Sequence, residues 1–227
     1  MPSTMDLDLA FVIDMTGSMA PFARATAATI KGLVEGSSSV LGKLKSLFPK
    51  MQFKLNVAVM GFRDIDDVND QFRETTWRGN SHFTQSIDDA IHFIDSVAKS
   101  SSGGGDLAED HLGAINQCAS WNNPGDWASQ IKFMMLLTDA PAHGFVPPAS
   151  AGVANADSYS LRHPLGLTAS KVIDTLISKE IDLFMCSFNP AATSMTEKEL
   201  SQLYLEHPDN TEERNSDGAK AASSAWC

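Results

Sequence analysis

The sequence predicts an α/β protein with a doubly wound, mostly parallel sheet, one antiparallel edge strand and helices on both faces. Four short, nearly continuous apolar runs bounded by turn residues are typical of strands buried in a parallel sheet. They occupy residues 7–13, 54–62, 131–138 and 181–188. Segments with apolar residues at helical spacing lie between these runs. This alternation of strands and helices indicates a parallel sheet that is covered on both sides.

The first half of the chain supplies two of these strands and the helices around them. Residues 21–48 are predicted to be helical with a break at the Gly-Ser run 36–39, because apolar residues recur at helical spacing on either side. Residues 72–77 are predicted to form a short strand, and its tight connection to strand 54–62 requires antiparallel pairing. Residues 86–97 have the apolar spacing of an amphipathic helix.

The second half begins with a glycine-rich loop, residues 100–106, which is expected to open a helix at 107–121. After strand 131–138 and the turn 139–144, a loop of about twenty residues runs to His163, and loops of this length are either functional or mobile. Residues 167–179 and 197–204 are predicted to be helices.

The length of 227 residues suits one domain with a sizeable core. From residue 206 onward the chain is polar and poor in large apolar side chains. Such segments cannot bury enough apolar surface to fold. The sequence therefore predicts one domain over residues 1–205 and a disordered tail over residues 206–227.

Composition and charge exclude several classes of function. The net charge of −11 argues against binding to a nucleic-acid backbone and is compatible with cation binding. No run approaches the ~20 apolar residues of a membrane-spanning helix, and no secretory signal is expected at the N-terminus. Three widely spaced cysteines, Cys118, Cys186 and Cys227, indicate neither a disulfide framework nor a zinc site. A reducing, cytoplasmic setting is the resulting expectation.

The most informative stretch is the turn that follows the first strand. Asp14, Thr16 and Ser18 alternate along it, so three oxygen-bearing side chains can converge on one point, while Gly17 permits a tight turn. An acid at the carboxyl end of a buried parallel strand lies where open α/β sheets bind ligands. Hard cations such as Mg2+ require a small, rigid set of oxygen ligands of this kind. The turn therefore predicts a site for a divalent cation.

Three other interpretations of this turn compete with a cation site. Thr16 and Ser18 could serve only to cap the next helix. Haloacid-dehalogenase phosphatases place an aspartate nucleophile at such a strand end and a second aspartate two residues later, but that position here is Thr16. A flavodoxin-like phosphate loop also uses Thr-Gly-Ser, but Asp14 would set a negative charge against the phosphate.

Two further acids are expected at the same end of the sheet. Asp139 directly follows strand 131–138, and Asp106 ends the glycine-rich loop. Together with Asp14 they would form a composite oxygen site. Asp106 and Glu109 also match a helix-capping box. Asp106 is therefore predicted either as a metal ligand or as a helix cap, and the two roles are compatible.

Other polar residues in these loops are interpreted more simply. His143, in the turn after strand 131–138, is expected to be a polar loop residue rather than a ligand. An acidic turn follows strand 54–62, and it lacks the glycine and the terminal glutamate of a calcium-binding EF-hand. Its acids, which are expected to be solvated, are Asp64, Asp66, Asp67 and Asp70.

These loops, in this order, resemble those of von Willebrand factor type A (vWA) domains. The metal-ion-dependent adhesion site (MIDAS) of that family begins with Asp-x-Ser-x-Ser, which Asp14, Thr16 and Ser18 match with threonine for the first serine. The family's second loop supplies a threonine after glycines, where this chain has Asp106. Its third loop supplies an aspartate, which Asp139 matches. The motifs GFRD, GGGDLAED and DAPAHG are most similar to the vWA subgroup associated with alpha-kinases.

The resemblance covers about residues 5–205 and implies a Rossmann-like fold. It also implies a cation, Mg2+ or Mn2+, held directly by Thr16 and Ser18 and mostly through water by Asp14 and Asp139. One coordination position is left for a carboxylate from a partner protein. The chain is therefore expected to be a divalent-cation-dependent protein-binding module without enzymatic activity. The alternative is a Mg2+-dependent phosphoryl-transfer enzyme on the same topology.

Three features depart from the family. The family's sheet has a sixth, C-terminal strand, but no apolar run follows Tyr204 to supply it. No kinase-like glycine loop or catalytic lysine is present, so the resemblance does not imply kinase activity. Asp106 in place of threonine would put three carboxylates around the cation. This change predicts tighter cation binding and weaker attraction for an acidic partner.

Overall fold

The computed structural model describes residues 4–34, 39–67, 71–77, 81–147, 156–161 and 163–209. Its strands are β1 Thr4–Asp14, β2 Gln52–Phe62, β3 Phe72–Glu74, β4 Ile131–Thr138 and β5 Asp182–Ser187. They form one sheet in the order β3-β2-β1-β4-β5. The short edge strand β3 pairs antiparallel to β2, and the other pairings are parallel. The predicted fold class is confirmed.

Helices follow the strands in the described part of the chain. They are α1 Ala23–Val34, α2 Val40–Leu47, α3 Ile87–Lys99, α4 His111–Ala119, α5 Ala169–Ser178 and α6 Pro190–Glu206. A single 3-10 turn, Gly17–Met19, follows β1. Ser39 and Ser86 cap α2 and α3 by accepting hydrogen bonds from backbone N–H groups in the first turn. The predicted break in the first helical region lies mainly in residues 35–38, which are outside the described residues.

The core occupies both faces of the sheet because successive side chains of a strand point to opposite sides. Phe11 and Ile13 of β1 pack in one apolar cluster with residues of α1 and α3. Ala10 and Val12 pack in a second cluster with residues of α4, α5 and α6. All four side chains are buried. Full burial of each large apolar side chain contributes roughly 1.5–3 kcal/mol, so the two clusters hold the helices on both faces.

Asp8 is the one charged residue among the buried positions of β1 before its end. Its Oδ1 accepts hydrogen bonds from Asn56 Nδ2 at 2.8 Å and from Ser129 Oγ at 2.7 Å. Its Oδ2 accepts one from the Ser129 N–H at 3.0 Å. A buried carboxylate is tolerated when donors satisfy it in this way. Asp8 therefore ties β1 to β2 and to the loop before β4.

The topology places one crevice at the carboxyl ends of β1 and β4. These two strands are neighbours at the centre of the sheet, with Ile13 opposite Leu137. The chain leaves β1 toward β2 on one side, whereas β4 leads toward β5 on the other. Open α/β sheets bind ligands at such a switch point. Asp14 ends β1 and Asp139 follows β4, so both predicted acids lie at this point.

Two helices differ from their predicted bounds. α4 begins at His111 instead of residue 107, because Glu109 forms an isolated β-bridge with Ala142 in the turn after β4 and Asp110 caps the helix. α6 begins at Pro190 instead of residue 197. Its buried side chains include Ala192, Thr193 and Thr196, which are too small or polar to give a clear apolar period. Proline at the first helical position is favourable there.

The C-terminal region is described only as far as residue 209. Within the described residues, no strand follows β5, which agrees with the missing apolar run after Tyr204. The predicted disordered tail lies almost entirely in residues 210–227, which are outside the described residues. The division at residue 205 therefore stays a prediction.

Candidate metal centre

Asp14 lies at the bottom of the crevice and is 1% exposed. Its Oδ1 accepts hydrogen bonds from the Thr16 N–H at 2.9 Å and from Thr16 Oγ1 at 2.7 Å. Its Oδ2 accepts one from Thr138 Oγ1 at 2.8 Å. Burial, opposed by these hydrogen bonds and assisted by the charge of Asp139, raises the pKa of Asp14 to about 6. The carboxylate is thus oriented by donors but lacks a compensating positive charge.

A chain of close oxygen contacts joins four of the predicted site residues. Thr16 Oγ1 lies 3.1 Å from Ser18 Oγ, and Ser18 Oγ donates to Asp139 Oδ1 at 2.9 Å. Asp14 begins the chain through its contact with Thr16. The structure therefore brings together Asp14, Thr16, Ser18 and Asp139. Burial also raises the pKa of the half-buried Asp139.

The hydroxyl groups of this chain suit a cation. Each hydroxyl has one proton, and the protons of Thr16 and Ser18 point to Asp14 and Asp139 when both carboxylates are ionised. The lone pairs of both hydroxyl oxygens are then available at a separation of 3.1 Å. Two hydroxyl oxygens and two carboxylates form an oxygen donor set of the kind that Mg2+ and Mn2+ prefer.

The glycine-rich loop packs closely against this site. Gly103 and Gly104 have φ values of +84° and +80°, which disfavour other residues. A Cβ atom on Gly104 would lie 3.0 Å from Glu109 Oε1 and 3.4 Å from Thr16 Cβ. The Gly17 N–H donates to the Gly103 carbonyl at 3.2 Å. Glycine is therefore required here so that the loop can approach the turn after β1.

Glu109 is the site residue that the sequence analysis missed. Its backbone pairs with the turn after β4, since Glu109 N–H donates to the Pro141 carbonyl at 2.9 Å. Its side chain interacts with Thr16 and with the charge of Asp14, and it is 3% exposed. Burial, followed by the charges of Asp14 and Asp64, raises the pKa of Glu109 to about 10. Its Oε2 is buried without a hydrogen-bond partner, as expected of a carboxyl that faces a cation site.

Asp106 does not cap α4. The cap is Asp110, whose Oδ1 accepts from the Gly113 N–H at 2.8 Å, so the capping-box interpretation is wrong. Asp106 Oδ2 accepts a hydrogen bond from the Ser158 N–H. Asp106 also lines a cavity of about 280 Å3 that Ser18, Glu109 and Asp139 share. It therefore lies at the border of the predicted site.

A second group lies beside this cavity and consists of Asp64, Asp106 and His143. Each of these residues offers one ligand atom, and these atoms lie within 4.8 Å of one another. Such a group can hold a metal ion, and the nature of the ion is open. His143 Nε2 lies 2.7 Å from Asp64 Oδ1, and His143 Nδ1 lies 2.9 Å from Asp157 Oδ1.

One expectation about this group is corrected by the structure. Asp64 is 1% exposed, so it is not part of a solvated turn, although Asp66 is exposed as expected. Asp70 lies outside the described residues. His143 is a loop residue, as predicted, and it is buried between two aspartates. Burial opposes its charged form, but the hydrogen bonds to Asp64 and Asp157 outweigh this effect and raise the pKa of His143 to about 9.

The missed residues differ in the signals that they leave in the sequence. Asp64 follows β2 almost directly, so the strand-end argument that identified Asp14 also applies to it. Glu109 leaves a misleading signal, because its spacing from Asp106 imitates a capping box. Its true position depends on the pairing with Ala142, which lies far away in sequence.

In the part of the chain that the structure describes, no helix has both the length and the apolar character needed to cross a membrane.

Comparison with known proteins gives a weak but extended similarity. No family model matches the chain. Alpha-protein kinase vwkA of Dictyostelium discoideum is 26% identical to it over 184 residues, which are 81% of this chain and 25% of that protein. The chain thus spans about a quarter of the relative's length. The relative's name agrees with the alpha-kinase-associated subgroup that the motifs resemble, and the kinase activity in that name is said only of the relative.

Solved structures share the fold. The pilus adhesin SpaC from Lactobacillus rhamnosus GG, in its open conformation, is similar with a TM-score of 0.50 and 15% identity. The match covers 90% of this chain and 27% of the adhesin. Another crystal structure of SpaC gives a TM-score of 0.48 with 14% identity. At these identities the likeness concerns the fold alone. The chain has a Rossmann-like α/β fold, a group of two acids and a histidine that can hold a metal ion, and a similarity to a protein named as an alpha-kinase.

Proposed function

We propose that this chain is a divalent-cation-dependent protein-binding module with a MIDAS at the carboxyl ends of β1 and β4, related to the vWA domains associated with alpha-kinases. The observation that carries the proposal is the row of oxygen contacts from Asp14 through Thr16 and Ser18 to Asp139, in which each hydroxyl donates to a carboxylate and the two hydroxyl oxygens lie 3.1 Å apart. It joins the ends of two adjacent central strands at the switch point of the sheet.

The donor set of the proposed site includes one residue beyond those predicted from the sequence. Asp14, Thr16, Ser18 and Asp139 would hold Mg2+ or Mn2+, and Glu109 lies close enough to Thr16 to take part. The unpartnered Glu109 Oε2 and the raised pKa of Asp14 both fit a missing positive charge. When bound, the cation would supply an open coordination position for an oxygen of a partner protein.

The exposure of Ser18 and Asp139 is consistent with docking of a partner at the metal-site loops. Ser18 is exposed and Asp139 is half-buried, whereas Asp14 and Thr16 are buried. An incoming side chain would therefore reach the cation from the side of Ser18 and Asp139, which both line the cavity. No enzymatic turnover and a cytoplasmic location are parts of the same proposal.

Isothermal titration with Mg2+ and with Mn2+ tests the cation site. The wild type should bind one cation, and Asp14→Ala should bind it at least about tenfold more weakly. The circular-dichroism spectrum of Asp14→Ala should match that of the wild type, because this acid lies outside the two apolar clusters. Equal cation affinity in both proteins would refute the site.

Partner capture in Mg2+ and in chelator tests the binding function. The proposal expects proteins that the wild type retains in Mg2+, that chelator releases and that Asp14→Ala does not retain. Retention that is identical in chelator, or identical for Asp14→Ala, would contradict cation-dependent binding.

A further inference from the structure

The group formed by Asp64, Asp106 and His143 joins three loops at the same end of the sheet. Asp64 follows β2, Asp106 precedes α4 and His143 follows β4. One ligand atom from each residue lies within 4.8 Å of the others. The group shares no member with the chain from Asp14 to Asp139, so its properties do not depend on the proposed function.

Two carboxylate oxygens of this group lack the hydrogen bonds that buried oxygens require. Asp64 is 1% exposed, and its Oδ2 has no hydrogen-bond partner. The Oδ1 of Asp106 is likewise buried without one. A buried, unpartnered carboxylate oxygen is unfavourable unless a cation or a donor compensates it. These oxygens therefore provide an observation that points to a ligand, in addition to the proximity of the three side chains.

His143 has the environment of a metal-binding histidine. Its Nδ1 lies 2.9 Å from Asp157 Oδ1, and the N–H groups of Gly144 and Tyr159 donate to the Asp157 carboxylate at 2.7 and 2.9 Å. The imidazole is thus oriented from behind by a carboxylate that is itself held in place. Histidine ligands of metals usually donate their second ring N–H to a carboxylate in this manner. The Nε2 atom lies 2.7 Å from Asp64 Oδ1, and the proton between them would be released when a metal ion binds.

We propose that Asp64, Asp106 and His143 form a second cation site, distinct from the site at Asp14, that takes a divalent transition-metal ion such as Zn2+. The class of ion follows from the imidazole ligand, because imidazole suits Zn2+ and related ions whereas Mg2+ and Ca2+ prefer oxygen ligands. Asp157 acts as a positioning residue that orients His143. A bound ion would cross-link the loops after β2 and β4 to the glycine-rich loop.

Titration of the full chain with Zn2+ alone tests this site. His143→Gln and Asp106→Asn should each weaken Zn2+ binding by at least about tenfold, and Asp157→Asn by about 10- to 100-fold. Asp14→Ala should leave the Zn2+ affinity unchanged. His207→Gln is a matched control, since His207 also lies between two aspartates, Asp174 and Asp209, but away from these loops.

A spectroscopic measurement separates this site from surface binding. Co2+ bound to the wild type should give visible d–d absorption bands that are lost in His143→Gln and altered in Asp157→Asn. The inference is refuted if His143→Gln and Asp106→Asn bind Zn2+ like the wild type, or if Asp14→Ala abolishes Zn2+ binding. Mg2+ binding by His143→Gln at wild-type affinity would show that the site at Asp14 is independent of the second site.

Discussion

The hydroxyl of Thr138, at the end of β4, donates a hydrogen bond of 2.8 Å to Oδ2 of Asp14, at the end of β1. The same hydroxyl oxygen lies 3.1 Å from Nε2 of the fully buried His111. Burial lowers the pKa of His111 to about 3, so this imidazole is neutral. Because the single Thr138 proton is donated to the Asp14 carboxylate, the Thr138 oxygen is left to accept a hydrogen bond from the Nε2–H tautomer of His111. A hydrogen bond thereby joins two adjacent strands at the Asp14 carboxylate, which belongs to the proposed cation site.

The raised pKa of Asp14 predicts a stability cost in the cation-free protein. With a folded pKa of about 6 against 3.8 for the ordinary group, stability falls as the pH rises from about 4 through 6. The loss is roughly 3 kcal/mol at neutral pH, at 1.36 kcal/mol for each pKa unit. In chelator at pH 7.5, Asp14→Asn should therefore be more stable than the wild type in urea unfolding. The difference should vanish near pH 4.

The same variant should lose the stabilisation that Mg2+ gives to the wild type, because only the native state holds the site. An Asp14→Asn protein that is less stable than the wild type in chelator at pH 7.5 would show that Asp14 has a structural role instead.

Sequence patterns were sufficient to predict the sheet and the part of the candidate site that is formed by the residues after β1 and β4. The apolar runs of the strands, the acid that ends β1 and the acid that follows β4 are local features. The periodicity of apolar residues and the positions of these acids along the chain were therefore enough to predict them. The hydrogen-bonded contact between Ser18 and Asp139 follows from the parallel pairing of these two strands. The chemistry of these residues stays a prediction, whereas their proximity is a property of the fold.

The positions of Glu109 and His143 depend on contacts between residues that are far apart in the sequence. Glu109 is held extended by the turn after β4, and no local pattern reports a bridge to Ala142. His143 is buried between Asp64, which follows β2, and Asp157, which lies 14 residues later in the same connection between β4 and α5. A single sequence gives the spacing of such residues along the chain but not the packing that brings their loops together.

Glu109 predicts that cation binding releases a proton. With a pKa of about 10, Glu109 is protonated at pH 7.5 in the cation-free protein. If its carboxylate takes part in the site, Mg2+ must displace this proton, so the Mg2+ affinity should rise with pH. Titrations in two buffers of different ionisation enthalpy should show about one proton released by the wild type and fewer by Glu109→Gln.

Glu206→Gln is a control for this measurement, because Glu206 is an exposed residue at the end of α6. Equal proton release by Glu109→Gln and by the wild type would exclude Glu109 from the site.

The capping of α4 by Asp110 gives a test of the corrected helix start. Asp110 accepts hydrogen bonds from the Gly113 N–H, Gln71 Nε2 and His163 Nε2 at 2.7–2.8 Å. Asp110→Ala leaves these donors without their acceptor, so it should cost at least about 2 kcal/mol of unfolding free energy. Asp106→Ala should cost clearly less, since Asp106 makes no cap bond to α4. Urea unfolding that shows the reverse order would restore the capping box of Asp106 and Glu109.

The proposed lack of turnover can be tested with a generic phosphate ester and Mg2+. Thr16 occupies the position where a phosphatase of the haloacid-dehalogenase type needs its acid, and its hydroxyl donates to Asp14. We therefore expect no hydrolysis that depends on Asp14. The feature that favours catalysis is the burial of Glu109, which raises its pKa to about 10 and would keep an acid near Asp14. Hydrolysis that is present in the wild type and lost in both Asp14→Asn and Glu109→Gln would support the enzyme.

The two acids of the GGGDLAED motif should respond differently to replacement by threonine, the residue that the vWA resemblance implies there. In Glu109→Thr, the site at Asp14 loses a carboxylate, so Mg2+ binding should weaken while acetate or an acidic peptide binds more tightly to the cation-loaded protein. The reason is charge: three carboxylates around a divalent ion leave a net charge of about −1, and two leave it neutral.

In Asp106→Thr, the Mg2+ affinity should change by less than about threefold, but the Zn2+ affinity should fall at least about tenfold, because Asp106 lies with Asp64 and His143. Paired titrations of both variants with both ions measure these four outcomes. A large loss of Mg2+ affinity in Asp106→Thr alone would return Asp106 to the position that the sequence predicts, beside Asp14, and would leave Glu109 as a buried neutral acid.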